Sequence, residues 1–356
     1  MKKKILILLG LAVALVVILL VIVSCKDSTT AETSAAGSTV AETAASTTVA
    51  EVVAGDEGAC ADCHNDTTVI FSKEVQYANS VHGTGLTFER NDADCARCHT
   101  SEGFTARIAA GTFEIADDAP AIQNASPVNC RTCHNIHSTY TEADWALKTT
   151  DPVTLELTGD VYDKGNSNLC VNCHQPRPGT DIPIAGGADV EITSTRYGPH
   201  HGPQSSMLLG VGGYGEYKGS SVHYDATEAG CIDCHMTDSA FGKQAGGHTW
   251  KMAYVFHEAE TEFLAGCLKC HEDIETFDRN GVETELAVMV EELRVLLVKQ
   301  GLIDDKGAGI AGTFTAEQAG ALWNYKTFTE DRSNGLHNPG FAKFLLQTGI
   351  DALKKK

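Results

Sequence analysis

Aromatic side chains are scarce in this chain: Phe, Trp and Tyr together make up 7% of 356 residues, against 34 glycines. Most of the sequence also lacks sustained apolar periodicity, so a chain of this composition would bury a poor core by itself. Positive charge is the second deficit. Lys and Arg number 27 against 47 Asp and Glu, a formal net charge of −20, or −23 without Lys2, Lys3 and Lys4. That balance argues against nucleic acid or an anionic lipid surface as electrostatic partners, and favours basic redox proteins or metal cations. The third absence is of spare cysteine. Apart from Cys25, every cysteine falls in one repeated pattern.

The pattern is CxxCH, and it occurs six times: Cys60/Cys63/His64, Cys95/Cys98/His99, Cys130/Cys133/His134, Cys170/Cys173/His174, Cys231/Cys234/His235 and Cys267/Cys270/His271. Two cysteines at this spacing can each form a thioether to one haem, and the adjacent histidine is placed to ligate its iron. A disulfide framework gives no reason for a histidine after every second cysteine. Zinc needs four ligands, so six such units would have to be shared out in pairs with donors left over. A thioredoxin-like redox motif needs a βαβ context that is not visible here. The reading is therefore six covalently bound haem c groups. Their propionates would add about twelve acids to an already acidic chain. Six porphyrins would also supply the missing apolar mass, so the chain is expected to be largely unfolded before they are attached.

Eight histidines lie outside the motifs: His82, His137, His200, His201, His223, His248, His257 and His337. Six irons with two histidines each need six of them, so supply exceeds demand and no iron has to keep an open position. A filled sixth position mostly passes electrons, whereas an empty one can bind a substrate. His137, three residues after His134, cannot bend back to the same iron but can reach a neighbouring one. His82 and His223 stand in the same tripeptide, Ser-Val-His, each upstream of a socket. His248 follows Gly246-Gly247, and His337 precedes Asn338-Pro339 at the entry to a last helix. Of the adjacent His200 and His201 only one can serve a given iron if the backbone is extended, and His200 is preferred. The expected distal ligands are thus His82, His137, His200, His223, His248 and His337, with His201 or His257 as possible replacements. Met207, Met236 and Met252 are weaker candidates.

The first cysteines of the sockets are 35, 35, 40, 61 and 36 residues apart. Short helices should carry them, because CxxCH sets the first cysteine and the histidine four apart on one face. Gly179 to Gly187 and Gly198 to Gly219 read as loops. Leu286, Met289, Val290, Leu293, Leu296 and Leu297 mark a helix that stops at Gly301, and two more are expected over Ala316 to Phe328 and Pro339 to Leu353. The fold class expected is mainly α with extensive loops, organised around stacked haems, with a C-terminal helical cap. The expected division is a leader at 1–24, a tether at 25–56, a haem-binding body at 57–280 and the helical region at 281–356.

The leader has a basic start, an apolar run from Ile5 to Val23 and a close of Ile22-Val23-Ser24-Cys25, which reads as an export signal resembling a lipobox with Cys25 as the lipidated residue. An uncleaved membrane anchor is the alternative. In both cases the sockets lie outside the cytoplasm. Lys26, rather than Asp, follows the cysteine, and the expected location is the outer membrane. Residues 26–56 are almost all Ala, Ser, Thr, Val, Glu and Gly, a composition that cannot order itself.

From Cys60 to about Leu353 the chain resembles the multihaem c-type cytochromes. Ser80-Val81-His82-Gly83 and His337-Asn338-Pro339 resemble distal-ligand segments of the group that includes ammonia-forming nitrite reductase and hydroxylamine oxidoreductase. That resemblance implies closely packed haem pairs in an unbroken chain. No socket reads CxxCK, the pattern associated with the nitrite-reducing haem, and the socket number differs from both enzymes. The function expected is an electron relay through the cell envelope, passing electrons to other cytochromes or an extracellular metal acceptor. A reductase of nitrogen or sulfur oxyanions and a subunit of a conducting filament or other homo-oligomer are the alternatives.

Overall fold

Three sequence-local devices set the C-terminal helices of the computed structural model, which describes residues 64, 69–112, 119–177, 181–238 and 244–355. These residues belong to one unit, Ala54–Lys356. The leader, the tether, Cys25 and the cysteines Cys60 and Cys63 of the first socket lie outside the described residues. Among the described residues five helices have ten residues or more: α1 (Val69–Ala78), α2 (Ser101–Ala110), α3 (Val282–Lys299), α4 (Ala316–Asp331) and α5 (Pro339–Lys354). Among the described residues no helix is long and apolar enough to cross a membrane.

Helix α3 starts where the Asp278 carboxylate accepts the Thr284 N–H and hydroxyl, at 3.1 and 2.6 Å. Glu283 and Glu285 in its first turn and Lys299 in its last complement the helix dipole. It buries Leu286, Met289, Leu293 and Leu297, the three-four stripe expected from the sequence. Helix α4 opens on a capping box between Thr315 and Gln318. Helix α5 opens on Asn338, whose side chain accepts the Phe341 N–H, with Pro339 in the first turn where no N–H is needed.

Helix α4 is the axis of this body. It buries Leu322, Trp323, Asn324, Tyr325 and Phe328 on several sides at once, and packs against α5, which packs in turn against α3. Asn324 is fully buried and satisfied: it accepts from Tyr214 N at 2.7 Å and donates to the carbonyls of Tyr214 and Leu345, both at 3.1 Å. Gly320 lets the Tyr214 ring lie against the helix, since a Cβ there would meet the ring at 2.3 Å.

The expectation of a poor core is corrected here. Twenty-two buried residues between Ile192 and Leu353 form one apolar cluster. A smaller cluster of Val153, Leu155, Tyr162, Val171 and Leu208 sits beside the fourth socket.

Strands occur as three two-stranded antiparallel pairs among the described residues. Val190–Ile192 pairs with Gly312–Phe314 and ties the stretch between the fourth and fifth sockets to the helical body. Ala253–Phe256 and Ala259–Glu262 form a hairpin whose two turn residues, His257 and Glu258, both have positive φ. The 198–219 stretch is not all loop: it contains a helix, Gln204–Leu209, closed by Gly210 at φ 80°. Met207 and Leu208 are buried in that helix, and the sequence signal for it was masked by the surrounding glycines and prolines.

Candidate haem centres

Each of the five described sockets, the second to the sixth, is carried by a short helical element, and two of these have a side-chain cap. Asp92 accepts the Cys95 N–H at 2.9 Å at the head of the helix Ala93–His99. Asn129 and Thr132 form a capping box on Cys130–Cys133, and the Thr132 hydroxyl donates to Ser101 at the start of α2. Asn168–Val171, Cys231–His235 and the 3-10 turn Cys267–Lys269 carry the rest. Arg107, buried in α2, donates to Asn172 beside the fourth socket at 3.0 Å.

The two Ser-Val-His tripeptides have the same local structure. Ser80 accepts the Gly83 N–H and Ser221 accepts the Tyr224 N–H, so each serine caps a short helix and sets its histidine two residues inside it. Both serines are buried, and both valines, Val81 and Val222, are exposed.

Every motif histidine faces a second histidine. The ring centroids are 6.1 Å apart for His64 and His137, 6.3 Å for His99 and His200, and 6.3 Å for His134 and His248. They are 6.0 Å apart for His174 and His82, 6.2 Å for His235 and His337, and 6.4 Å for His271 and His223. A metal–imidazole bond is about 2 Å and the ring centroid lies about 1 Å behind the nitrogen, so two imidazoles on one metal stand about 6 Å apart. The six spacings agree with that separation.

Hydrogen bonds to the other ring nitrogen support the same use. The Nδ1 of His134 lies 2.7 Å from the Trp145 carbonyl, that of His223 2.6 Å from Leu336 O, and that of His235 2.9 Å from Trp250 O. His174 Nδ1 meets Gln204 Oε1 at 3.2 Å and His337 Nδ1 meets Asp331 Oδ1 at 2.7 Å. Carbonyl and carboxylate oxygens only accept, so Nδ1 carries the proton and Nε2 keeps the lone pair a metal needs. Burial first, and then neighbouring positive groups, lower the pKa of His82, His200 and His248 to about 4, which leaves them neutral at pH 7.

One continuous cavity of about 3460 Å³ reaches all twelve paired histidines and every described socket cysteine. That is roughly 580 Å³ for each pair, within the range of a single cofactor site. None of the ten described cysteines is paired in a disulfide. Among the described residues no group of three or more His, Cys, Asp or Glu is placed to hold one metal ion, which weighs against shared zinc sites.

Comparison with known proteins agrees with the socket pattern. Residues 59–135, which take in the first three sockets, match the family described as cytochrome c554 and c-prime. The C-type polyheme cytochrome OmcB of Geobacter sulfurreducens is 27% identical over 234 residues, in two strains. The match takes in 54% of this chain and 30% of that protein, so it spans less than a third of the relative's length.

The chain is a multihaem c-type cytochrome. Its haem is covalently bound haem c. Two solved structures are also similar to this cytochrome. The outer cell wall cytochrome OcwA has a TM-score of 0.49 at 21% identity, over 79% of this chain and 50% of that one. An undecahaem cytochrome from the S-layer of Carboxydothermus ferrireducens has a TM-score of 0.43 at 17% identity, over 78% and 40%.

The two surplus histidines of this cytochrome have other partners. His201 is exposed, with Nδ1 2.5 Å from Glu330 Oε2. His257 is exposed in its hairpin turn, its ring 4.1 Å from that of Phe256. The backbone at His200 is not extended, as the sequence argument supposed, but left-handed at φ 67°. The two adjacent rings are therefore 4.8 Å apart and tilted by 43°, and it is the turn that separates their partners. Met207 is buried in the apolar core. Sequence reasoning missed Asp331, Gln204 and the three carbonyls that hold Nδ1. Asp331, six residues before His337, was the one side chain among these that proximity could have suggested.

Proposed function

We propose that this cytochrome is a hexahaem electron relay, each haem held by one CxxCH motif and by two histidines. The motif histidines His64, His99, His134, His174, His235 and His271 would ligate with His137, His200, His248, His82, His337 and His223, in that order. The observation that carries this reading is the uniform facing of six histidine pairs at 6.0–6.4 Å. A haem c between two histidines cycles between ferric and ferrous states and passes one electron at a time. The protein holds five of the twelve rings, those of His134, His174, His223, His235 and His337, by a hydrogen bond at Nδ1, which would limit how far they move when an electron passes. With all six irons filled on both sides, a carrier is favoured over a reductase of nitrogen or sulfur oxyanions.

The place of work is the cell envelope, with Cys25 as the lipid anchor and residues 26–56 as the tether. Other cytochromes or an extracellular metal acceptor are the partners this location and the acidic charge favour. Haem quantitation by pyridine haemochrome should give six per chain, and low-temperature EPR should show low-spin ferric haem without a substantial high-spin signal. Binding of nitrite or cyanide to the resting protein would overturn the carrier reading in favour of catalysis. Cys25→Ser should release the protein from the membrane fraction; retention there would point to an uncleaved anchor.

A further inference from the structure

One loop serves two sockets, granted the ligand pairs just proposed. It leaves the third socket at His134 and returns to it at Lys148, and its ends are sewn together. The Asn135 N–H donates to the Ala146 carbonyl at 3.0 Å, the Lys148 N–H donates to the Cys133 carbonyl at 2.8 Å, and His134 forms an antiparallel bridge with Leu147. On the outgoing limb the His137 ring stands 6.1 Å from that of His64 in the first socket. On the returning limb the Trp145 carbonyl accepts from His134 Nδ1 at 2.7 Å.

No residue of this loop belongs to either apolar cluster, so packing in a core does not set its shape. Two of its residues are also strained. His137 and Tyr140 have left-handed backbone, at φ 64° and 58°, which residues with a Cβ keep only where their surroundings hold them.

What holds them is one carboxylate. Asp144 is buried, and its Oδ1 accepts both the N–H and the hydroxyl of Thr139 at 2.7 Å, while Oδ2 accepts the Tyr140 N–H at 3.1 Å. A carboxylate only accepts, so it can satisfy all three donors, and its charge strengthens each bond. With its backbone held in this way, Tyr140 lays its ring parallel to that of His137, 5.4 Å away at 11°. Asp144 is itself fixed in the 3-10 turn Glu142–Trp145, where its N–H donates to the Thr141 carbonyl at 3.0 Å. The next residue in that turn is Trp145, which supplies the carbonyl for His134.

We propose that Asp144 is a positioning residue for axial ligands of two different irons. Through Thr139 and Tyr140 it keeps His137 on the first haem, and through Trp145 it keeps an acceptor on the Nδ1 of His134 at the third. When the carboxylate is removed, the left-handed residues relax and His137 leaves the first iron. His134 stays bound, because its own socket anchors it, but loses its fixed acceptor. Asp144 thereby keeps the first haem a carrier, since an iron without its second histidine has an open position.

Low-temperature EPR and potentiometric titration of the ferric holoprotein test this. Asp144→Ala should convert one haem per chain to high spin, and added imidazole should return that haem to low spin. His137→Ala should give the same single high-spin haem, and the double variant no more than one. Asp144→Ala should in addition raise the midpoint of a low-spin haem above its value in His137→Ala, because His134 has lost its acceptor. Two high-spin haems in the double variant, six low-spin haems in Asp144→Ala, or low-spin midpoints identical in Asp144→Ala and His137→Ala would overturn the proposal. If Asp144→Ala yields too little holoprotein, Asp144→Asn decides, since it keeps the shape and sets an NH2 against backbone donors. A part-high-spin haem that imidazole restores supports the proposal, and wholly low-spin haems with native midpoints overturn it. His137→Ala with every haem low-spin would instead mark a failure of the ligand pairing itself.

Discussion

His337 Nδ1 lies 2.7 Å from Asp331 Oδ1, and the Asp331 side chain has no exposure to solvent. The second carboxylate oxygen accepts from the Ser333 hydroxyl, so the charge is fixed in place. Burial opposes a charge on His337, but the carboxylate outweighs it and leaves the pKa raised. The pair joins the end of α4 to the entry of α5, and through His235 to the fifth motif.

An imidazole that donates to a buried carboxylate is more electron-rich than one that donates to an amide or a carbonyl, and it stabilises the ferric state more. Asp331→Asn keeps the shape and removes the charge. One haem midpoint potential should therefore rise, by about 60 mV for each tenfold change in the ferric-to-ferrous preference of the ligand. Potentiometric titration followed optically checks this, with low-spin EPR as the control that ligation survives. An unshifted set of midpoints would mean that His337 does not ligate or that its carboxylate does not act on the iron.

His200 and His201 separate cleanly by variant. His200→Ala should convert one haem to high spin, because His99 would lose the ring that faces it at 6.3 Å. His201→Ala should leave all haems low-spin. Its ion pair with Glu330 is partly open to solvent, with side chains 52% and 22% exposed, so the loss in stability should stay within about 1 kcal/mol. A high-spin signal in His201→Ala and none in His200→Ala would reverse the assignment.

The motifs were legible in the sequence, because covalent attachment demands a fixed local spacing, and so was the pool of eight further histidines from which the facing rings come. The pairing was not. His134 and His248, or His235 and His337, are brought together by chain reversals that leave no local mark, and His82 faces His174 of the fourth motif although it precedes the second. Three of the Nδ1 partners are backbone carbonyls, which no residue type announces. Helix α3 was visible through its one-sided stripe. Helix α4 gives no such stripe because it is buried on several sides, with Gly320, Asn324 and Thr327 inside among the apolar residues. Composition therefore understated the core: a central helix surrounded by protein needs small and satisfied polar residues as well as large apolar ones.

None of the 22 residues of the main apolar cluster lines the large cavity. The C-terminal body should accordingly keep much of its helix without haem, while the short turns that carry the described motifs should not. Circular dichroism of protein with all motif cysteines changed to alanine should retain the signal of α3, α4 and α5. Its complete loss would restore the expectation that the haems alone build the fold. Trp323 anchors this body, fully buried with its indole N–H donating to Gly212 O at 2.8 Å. Trp323→Ala should cost about 3–5 kcal/mol in denaturant unfolding and leave haem content unchanged in the fraction that folds.

Gly103 decides how closely α2 approaches the second motif. A Cβ there would lie 2.4 Å from the Ala96 carbonyl oxygen and 2.9 Å from Ala96 Cβ, inside the helix that carries Cys95, Cys98 and His99. The neighbour is backbone and cannot swing aside, so Gly103→Ala must push the two helices apart, at about 1–3 kcal/mol. The displacement falls on the motif itself, and the expected result is protein short of one haem or with one altered low-spin signal. Gly111→Ala is the matched control. Nothing lies within 4 Å of its Cβ, but φ is 65°, so it should lose about 1 kcal/mol through strain at the end of α2 and keep its haem spectrum intact. Equal spectra in the two variants would show that the close approach of α2 does not set the geometry of the second motif.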